Sequence, residues 1–221
     1  MMIRHLRVPF VLFACLIAGG LFAAEQPIQF VDNTHVPQKV VVVNTSGTSS
    51  FVKDMFKVIK LINEEDNLSP TEIIKLHIIN GSGGDPLSQL GVPLAEAKKY
   101  AEVNPKFTSS DIWAQDCMEL CSAQNANGQW VPAVFDSARG RGLGALPKVL
   151  SELWGLAFFK NPSTEAAHGD YGGNLEVTPF DNVLVAGNTI TAKCRAYLES
   201  HGNAGRMFHP DTRWLSVGHI D

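Results

Sequence analysis

Two carboxylates and one histidine are the residues whose types and order most suggest chemistry. Asp116 lies in the polar segment 111–119, and His219 and Asp221 lie in the last few positions of the chain. A guanidinium is planar and carries about five donors in a fixed fork, so two carboxylates can hold its edges through charge-assisted hydrogen bonds. A histidine beside them can transfer protons during substitution at the guanidinium carbon. Asp116, His219 and Asp221 are therefore the residues of interest.

These residues lie within a set of three polar segments, each next to an apolar run. The segments are 111–119, 168–176 and 214–221. Taken singly, each has an ordinary explanation, because a Trp-x-x-Asp pattern is common, a Gly-Gly-Asn sequence forms turns and a terminal His-x-Asp is most often a surface pair. Their combination and order in one chain are what favour a functional site.

Together, and in this order, the motifs resemble the protein-arginine deiminase family of the guanidino-group-modifying superfamily. The resemblance covers roughly residues 39–221 and is carried by the blocks 111–119, 134–143, 173–177 and 214–221. It implies an α/β fold, a partial pentein propeller that in full has five ββαβ-type units around a central channel. It also implies calcium-dependent hydrolysis of arginine in a protein or peptide substrate to citrulline and ammonia.

The resemblance implies catalytic roles for Asp116, His219 and Asp221, and substrate-binding roles for two further side chains. Trp113 would form a wall of the pocket and pack against the aliphatic stem of the substrate arginine. Arg141 would contact the substrate backbone. Both residues have structural alternatives, because Trp113 can be a core residue, and Arg139 and Arg141, which flank a glycine, can be exposed loop charges.

The resemblance also implies a calcium site. Calcium takes about six to eight oxygen ligands. The expected side-chain ligands are Gln115, Glu119 and Glu176, and the expected main-chain donors are Gly172 and Leu175. A second site would use positions that have lost part of their oxygen-bearing side chains, and because a hard cation prefers oxygen we expect it to be weak or absent. Its positions are Cys117, Asp136, Ser137 and Gly140.

The nucleophile implied by the resemblance, a late thiolate, lies in a part that this sequence does not reach. After Cys15, the chain has Cys117, Cys121 and Cys194. Cys117 would point away from the substrate if its segment is extended, since neighbours on a strand face opposite sides. We therefore expect the front part of a longer enzyme that is inactive alone. The alternatives are a non-catalytic calcium- or arginine-binding remnant, and a deiminase or amidinotransferase acting on a small guanidino compound.

The elements that must position these residues alternate between strands and helices, which indicates an α/β class and one domain over residues 25–221. Apolar β-branched runs predict strands, and three- and four-residue apolar spacing predicts helices. The predicted strands are 39–44, 76–79, 131–135 and 182–186. The predicted helices begin at Ser49 or Ser50, at Pro93, at Pro147 and at Thr189.

The N-terminus predicts a signal peptide over residues 1–24. Arg4 and Arg7 precede the apolar stretch 8–22, and small residues at 23 and 24 follow it. The stretch is shorter than the ~20 residues needed to span a bilayer, which favours a cleaved signal and a secreted or extracytoplasmic protein. A lipoprotein signal ending at Cys15 is a lesser alternative, and many members of the resembled family are cytoplasmic.

Charge argues against nucleic acid as a partner. The chain has 18 basic and 22 acidic residues, and removing the signal takes two arginines, so 16 against 22 leaves a formal charge of −6. An acidic chain of this kind is a poor candidate for nucleic-acid binding. We also expect no membrane partner after signal cleavage.

Overall fold

The structure, a computed structural model, describes residues 27–29, 39–139, 141–163, 170–172, 175–177, 184–186, 189–204 and 207–208. Its strands are β1 Ile28–Gln29, β2 Lys39–Asn44, β3 Lys75–Asn80, β4 Ala101–Thr108, β5 Met118–Gln124, β6 Trp130–Asp136, β7 Ala157–Lys160, β8 Leu175–Val177, β9 Leu184–Ala186 and β10 Met207–Phe208. Its α-helices are α1 Ser49–Glu65, α2 Leu94–Tyr100, α3 Leu146–Trp154 and α4 Ala192–Leu198. The predicted α/β class is confirmed.

The first sheet has the order β2-β3-β4 and is parallel throughout. Helix α1 connects β2 to β3, and α2 leads directly into β4, as parallel neighbours require a crossover connection. The predicted strands 39–44 and 76–79 are therefore confirmed as β2 and β3. Strand β4 was not predicted: its sequence alternates apolar and polar residues, but it contains Asn104 and Pro105, which are uncommon inside strands.

Helix α1 differs in detail from its prediction. Its N-cap is Thr48 rather than Ser49 or Ser50, and Thr48 donates its hydroxyl to the Val43 carbonyl at 2.7 Å instead of capping the helix. Val52 and other members of the predicted apolar stripe are buried, while Phe51 is 56% exposed. The exposed Phe51 lines a cavity together with residues 112–116 of the loop before β5.

The second sheet has the order β1-β5-β6-β7. Strands β5 and β6 form an antiparallel hairpin, and α3 carries the chain to β7, which pairs parallel to β6. Strand β6 confirms the predicted strand 131–135, and the Pro147 in the first turn of α3 confirms the predicted helix start. Proline suits this position because the first helical amides have no partner within the helix.

The third sheet has the order β10-β9-β8. Strand β9 lies within the predicted strand 182–186, whose first two residues are outside the described part of the chain. Helix α4 begins at Ala192, after Thr191, whose hydroxyl accepts the Cys194 amide, so the predicted start at Thr189 was three positions early. Gly202 ends this region with a φ of 93°, a conformation that glycine adopts without strain.

An apolar cluster joins the first two sheets and positions the functional segment between them. It includes Val43 and Ile79 from the first sheet, Val134 from the second sheet and Leu150 from α3, which connects two strands of the second sheet. Met118, the first residue of β5, is also in this cluster. The loop 109–117, which connects β4 to β5, therefore lies where the two sheets pack together. No helix in the described part of the chain has both the length and the apolar content that crossing a bilayer would require.

Candidate active site

The loop 109–117 is shaped by short-range polar contacts. Ser109 Oγ accepts the Asp111 amide at 3.1 Å, and Asp111 Oδ1 accepts the Trp113 amide at 3.3 Å. Side chains of this kind satisfy nearby backbone amides and stabilise turns. A single 3₁₀ turn, Gln115–Cys117, then leads into β5. The result is a compact loop that carries both Trp113 and Asp116.

Trp113 and Asp116 line a common cavity of about 330 Å³. Its other walls come from β2 and from the N-terminal part of α1, including the exposed ring of Phe51. Trp113 is 54% exposed and is not a core residue, whereas Asp116 is buried. An apolar cavity with one buried carboxylate matches the shape and charge of an arginine side chain.

Arg139 is buried against this loop rather than exposed, which corrects the loop-charge alternative for this residue. Its Nη1 donates to the Trp113 carbonyl at 3.0 Å and lies 3.2 Å from Asp111 Oδ2. Its Nη2 lies 3.5 Å from Asp116 Oδ2, and its guanidinium stacks 5.6 Å from the Tyr171 ring centroid. Asp111 and Arg139 are the site residues that sequence reasoning missed.

Arg141 has an exposed side chain, as its loop-charge alternative expects. Its chain neighbour Gly142 approaches the site loop closely, because a Cβ there would lie 3.2 Å from Ser109 Oγ and 3.3 Å from Asp111 Cβ. The segment that carries Arg141 therefore adjoins the loop of Trp113 and Asp116, while its guanidinium faces solvent.

The three described thiols are poor nucleophiles. Cys117 lies in the 3₁₀ turn, not in an extended segment as assumed, and its Sγ donates to the Ala114 carbonyl at 3.0 Å. Burial raises the pKa of Cys117 to about 12 and raises the pKa of Cys121 and of Cys194 as well. Since the thiolate is the reactive form, none of these three is suited to attack a guanidinium near neutral pH.

Asp136 and Ser137 are engaged in local contacts at the end of β6. Asp136 Oδ1 accepts the Ala138 amide at 2.8 Å, and burial raises the pKa of this carboxyl. Ser137 Oγ donates to the Asp116 carbonyl at 2.7 Å. These contacts connect the end of β6 to the turn that carries Asp116. Gly140 lies outside the described residues.

The expected calcium ligands are brought together in part. Gly172 is buried against the turn before β5, so closely that a Cβ there would overlap the main-chain oxygens of Gln115 and Met118. The main-chain oxygens of Gln115 and Met118 therefore lie next to Gly172, so two of the expected calcium-binding positions, Gln115 and Gly172, are neighbours. Leu175, which opens β8, is buried. Within the described residues, no three His, Cys, Asp or Glu side chains are grouped as a metal site.

Three predicted site side chains lie outside the part of the chain that the structure describes. His219 and Asp221 lie outside the described residues, and for Glu176 only the backbone, in β8, is described. What the structure does bring together is Trp113 and Asp116 at the cavity, with Gln115 and the segment of Gly172 adjacent to them.

Comparison with solved structures places this arrangement in a known fold. An agmatine deiminase from C. jejuni superposes with a TM-score of 0.54 over 86% of this chain and 57% of that chain, at 10% sequence identity. At that identity the likeness concerns the fold alone. The predicted architecture, a partial pentein-type fold, is thereby confirmed.

Sequence comparison then identifies the family. Residues 24–221 match the family model described as protein-arginine deiminase (PAD). Protein-arginine deiminase type-4 of Homo sapiens is 27% identical over 91% of this chain and 32% of its own length. Protein-arginine deiminase type-1 of Homo sapiens is 24% identical over 88% and 31%. The chain belongs to the protein-arginine deiminase family, and it spans about a third of the length of the curated relatives it matches.

Proposed function

We propose that this chain provides the guanidinium-binding part of a calcium-dependent protein-arginine deiminase. The reaction would convert arginine in a protein or peptide to citrulline and release ammonia. The observation that carries the proposal is the cavity that the exposed Trp113 and the buried Asp116 both line. Membership of the family and the donor-only chemistry of a guanidinium support the same substrate class.

The proposed mechanism assigns each residue a role by its chemistry. Asp116 and Asp221 accept hydrogen bonds from the two edges of the guanidinium and hold its carbon for attack. A thiolate adds to that carbon, and His219 protonates the departing nitrogen so that it leaves as ammonia. Water, deprotonated by the same histidine, then displaces the thiol and leaves the urea oxygen of citrulline. Arg141 would contact the substrate backbone.

The proposed calcium ligands are the side chains of Gln115, Glu119 and Glu176 and the carbonyls of Gly172 and Leu175. The closeness of Gly172 to the main-chain oxygens of Gln115 and Met118 supports this set. When bound, calcium would tie the turn before β5 to the segment that leads into β8. Gln115 and Asp116 are adjacent, so ordering this turn would also order the substrate carboxylate.

A second candidate, non-catalytic binding of arginine, is favoured by one observation. The described thiols are buried and have raised pKa values, so this chain could bind arginine without catalysing its conversion.

We also propose an extracytoplasmic location, supported by the charge and hydropathy pattern of the N-terminus.

The test compares ligands that differ only in the guanidinium. Nα-acetyl-L-arginine amide should bind this chain, while the matched citrulline and lysine amides should bind at least about tenfold more weakly, because neither presents a charged planar fork. Isothermal titration calorimetry with and without calcium measures this. Equal affinity for the arginine and citrulline amides would refute guanidinium recognition.

A pair of aspartate variants locates the binding carboxylate. Asp116→Asn should abolish detectable arginine binding, since the amide presents donors to a donor-only cation. Asp136→Asn is the matched control, because Asp136 is also buried at the end of a neighbouring element but does not line the cavity. Citrulline formation in the same samples distinguishes the two candidates: binding without citrulline supports the non-catalytic one.

A further inference from the structure

The buried guanidinium of Arg139 contacts the site loop at three successive points. These are Asp111, the carbonyl of Trp113 and Asp116, at 3.2, 3.0 and 3.5 Å. The Arg139 side chain is 1% exposed. Trp113 and Asp116 line the cavity, whereas Arg139 is not among the lining residues. Arg139 therefore contacts the loop without lining this cavity.

The buried ion pairs of Arg139 with Asp111 and Asp116 are weak evidence for a purely stabilising role. Replacing a buried ion pair by apolar side chains of similar volume is often neutral or stabilising. Here Nε of Arg139 and Oδ2 of Asp111 have no hydrogen-bond partner among the described residues. The guanidinium of Arg139 thus contacts three residues of one loop rather than pairing with a single carboxylate. That geometry fits a role in setting the shape of the loop.

We propose that Arg139 is a positioning residue, which fixes the loop so that the Trp113 ring and the Asp116 carboxylate face the cavity. Holding the Trp113 carbonyl inward directs its side chain outward. The cluster contains two carboxylates and one guanidinium, so one negative charge remains in excess beside the cavity. That charge favours a cationic ligand, and in this respect the proposal rests on the proposed function.

Substitutions at Arg139 separate charge from geometry. Arg139→Lys keeps the positive charge but replaces the planar fork by a point donor, which cannot reach all three partners at once. Arg139→Met keeps similar length and removes the charge. Arg195→Lys is the matched control, because Arg195, in α4, also has a buried Nε without a hydrogen-bond partner in the described part of the chain.

The readout is ¹⁹F NMR of the chain labelled with 5-fluorotryptophan, which gives one signal for each of its 4 tryptophans. Trp113→Phe assigns the Trp113 signal. Arg139→Lys and Arg139→Met should shift or broaden that signal and leave those of Trp130 and Trp154 in place. The dissociation constant for Nα-acetyl-L-arginine amide should rise by about tenfold or more, as expected for losing charge-assisted contacts. Arg195→Lys should change neither quantity.

Each outcome decides the proposal. An unchanged Trp113 signal in folded Arg139→Lys overturns the positioning role, even if arginine binds. If the Arg139 variants change the Trp113 signal but the wild-type chain binds no arginine amide, the positioning role is supported and the proposed function is refuted. If both Arg139 variants unfold, Asp111→Asn decides, because it removes one charged partner of Arg139 while Oδ1 can still accept the Trp113 amide. A Trp113 signal unmoved by Asp111→Asn then overturns the proposal.

Discussion

At the scale of single residues, the environment of each side chain decides which chemistry it can perform. Asp116 and Cys117 are adjacent in sequence, yet one lines the cavity and the other is enclosed in the apolar cluster between the sheets. The Asp116 carboxylate has the guanidinium of Arg139 beside it, whereas the Cys117 thiol in the apolar cluster loses the solvation that its thiolate needs. The two neighbours therefore have opposite prospects as catalytic groups.

The thiols give a prediction at this scale. In the native chain at pH 8, Cys117, Cys121 and Cys194 should react with iodoacetamide at least about a hundredfold more slowly than after unfolding in urea, since burial raises all three pKa values. Peptide-resolved mass spectrometry measures each site separately. Rapid native alkylation of Cys117 alone would contradict this result and make it a candidate nucleophile.

At this scale the sequence predicted which residue types could form the site, but it did not predict which side chains contact one another. Trp113 and Asp116 were found because their motif carries them together. Arg139 was read as a possible loop charge because it sits beside glycine, and glycine-flanked charges are usually exposed. Its burial depends on Asp111 and Asp116, which are distant in sequence and reach it only after β5 and β6 pair.

At the scale of elements, polar side chains help to hold neighbouring strands together. Strand β4 contains Pro105, which cannot donate to a strand ladder, but its Glu102 accepts a hydrogen bond from His77 Nδ1 at 2.9 Å and pairs with Lys39. Its Asn104 is 2.9 Å from His77 Nε2 and accepts the Lys106 amide. Side-chain bonds therefore link all three strands of the first sheet, and because they join residues distant in the chain, the sequence pattern did not predict them.

This network predicts a pH dependence of stability. Hydrogen bonding from His77, with Lys39 close by, lowers the pKa of Glu102 from 4.5 to about 2. Because the folded value is depressed, the stabilisation is present above about pH 5 and is lost as pH falls toward 2. About a third of the side chain is exposed, so we expect about 1 kcal/mol rather than the roughly 3 kcal/mol of the full shift.

The measurement is urea unfolding of Glu102→Gln and of the wild type at pH 7 and pH 3. The difference in unfolding free energy should be about 1 kcal/mol at pH 7 and should shrink at pH 3, where the wild-type carboxyl begins to protonate. Glu65→Gln, at an exposed position at the end of α1, is the control and should differ little from wild type at both pH values. A constant deficit for Glu102→Gln across this range would show that its charge is unimportant.

A second element-scale prediction concerns the turn before β5. Gly172→Ala should raise the dissociation constant for calcium by at least about tenfold, because the added Cβ would displace the main-chain oxygens of Gln115 and Met118. Gly47→Ala is the control, since its Cβ would meet only Thr45 Oγ1 at an ordinary 3.8 Å. Calorimetric calcium titration of both variants checks the prediction, and equal affinities would remove the support for this calcium site.

At the scale of the whole molecule, the site depends on how the first two sheets pack. The cavity takes walls from β2 and α1 of the first unit and from the loop 109–117 that opens the second. The apolar cluster beneath it contains Val43 and Ile79 from one sheet and Val134 from the other. In a propeller-like fold, each unit completes its core against the next, so the cavity can persist only while these two units stay together.

Cooperativity between the two units is therefore the final prediction. Leu150→Ala removes a fully buried side chain of α3 from the shared cluster and should cost about 2–5 kcal/mol of unfolding free energy. Leu61→Ala, in α1 but 53% exposed, should change it by less than about 0.5 kcal/mol. Hydrogen exchange should show that Leu150→Ala speeds exchange in β2 and β3 as well as in β5 and β6, because the cluster belongs to both sheets. Faster exchange confined to β5, β6 and α3 would mean that the units fold independently, and the cavity would then be a contact between separately stable parts.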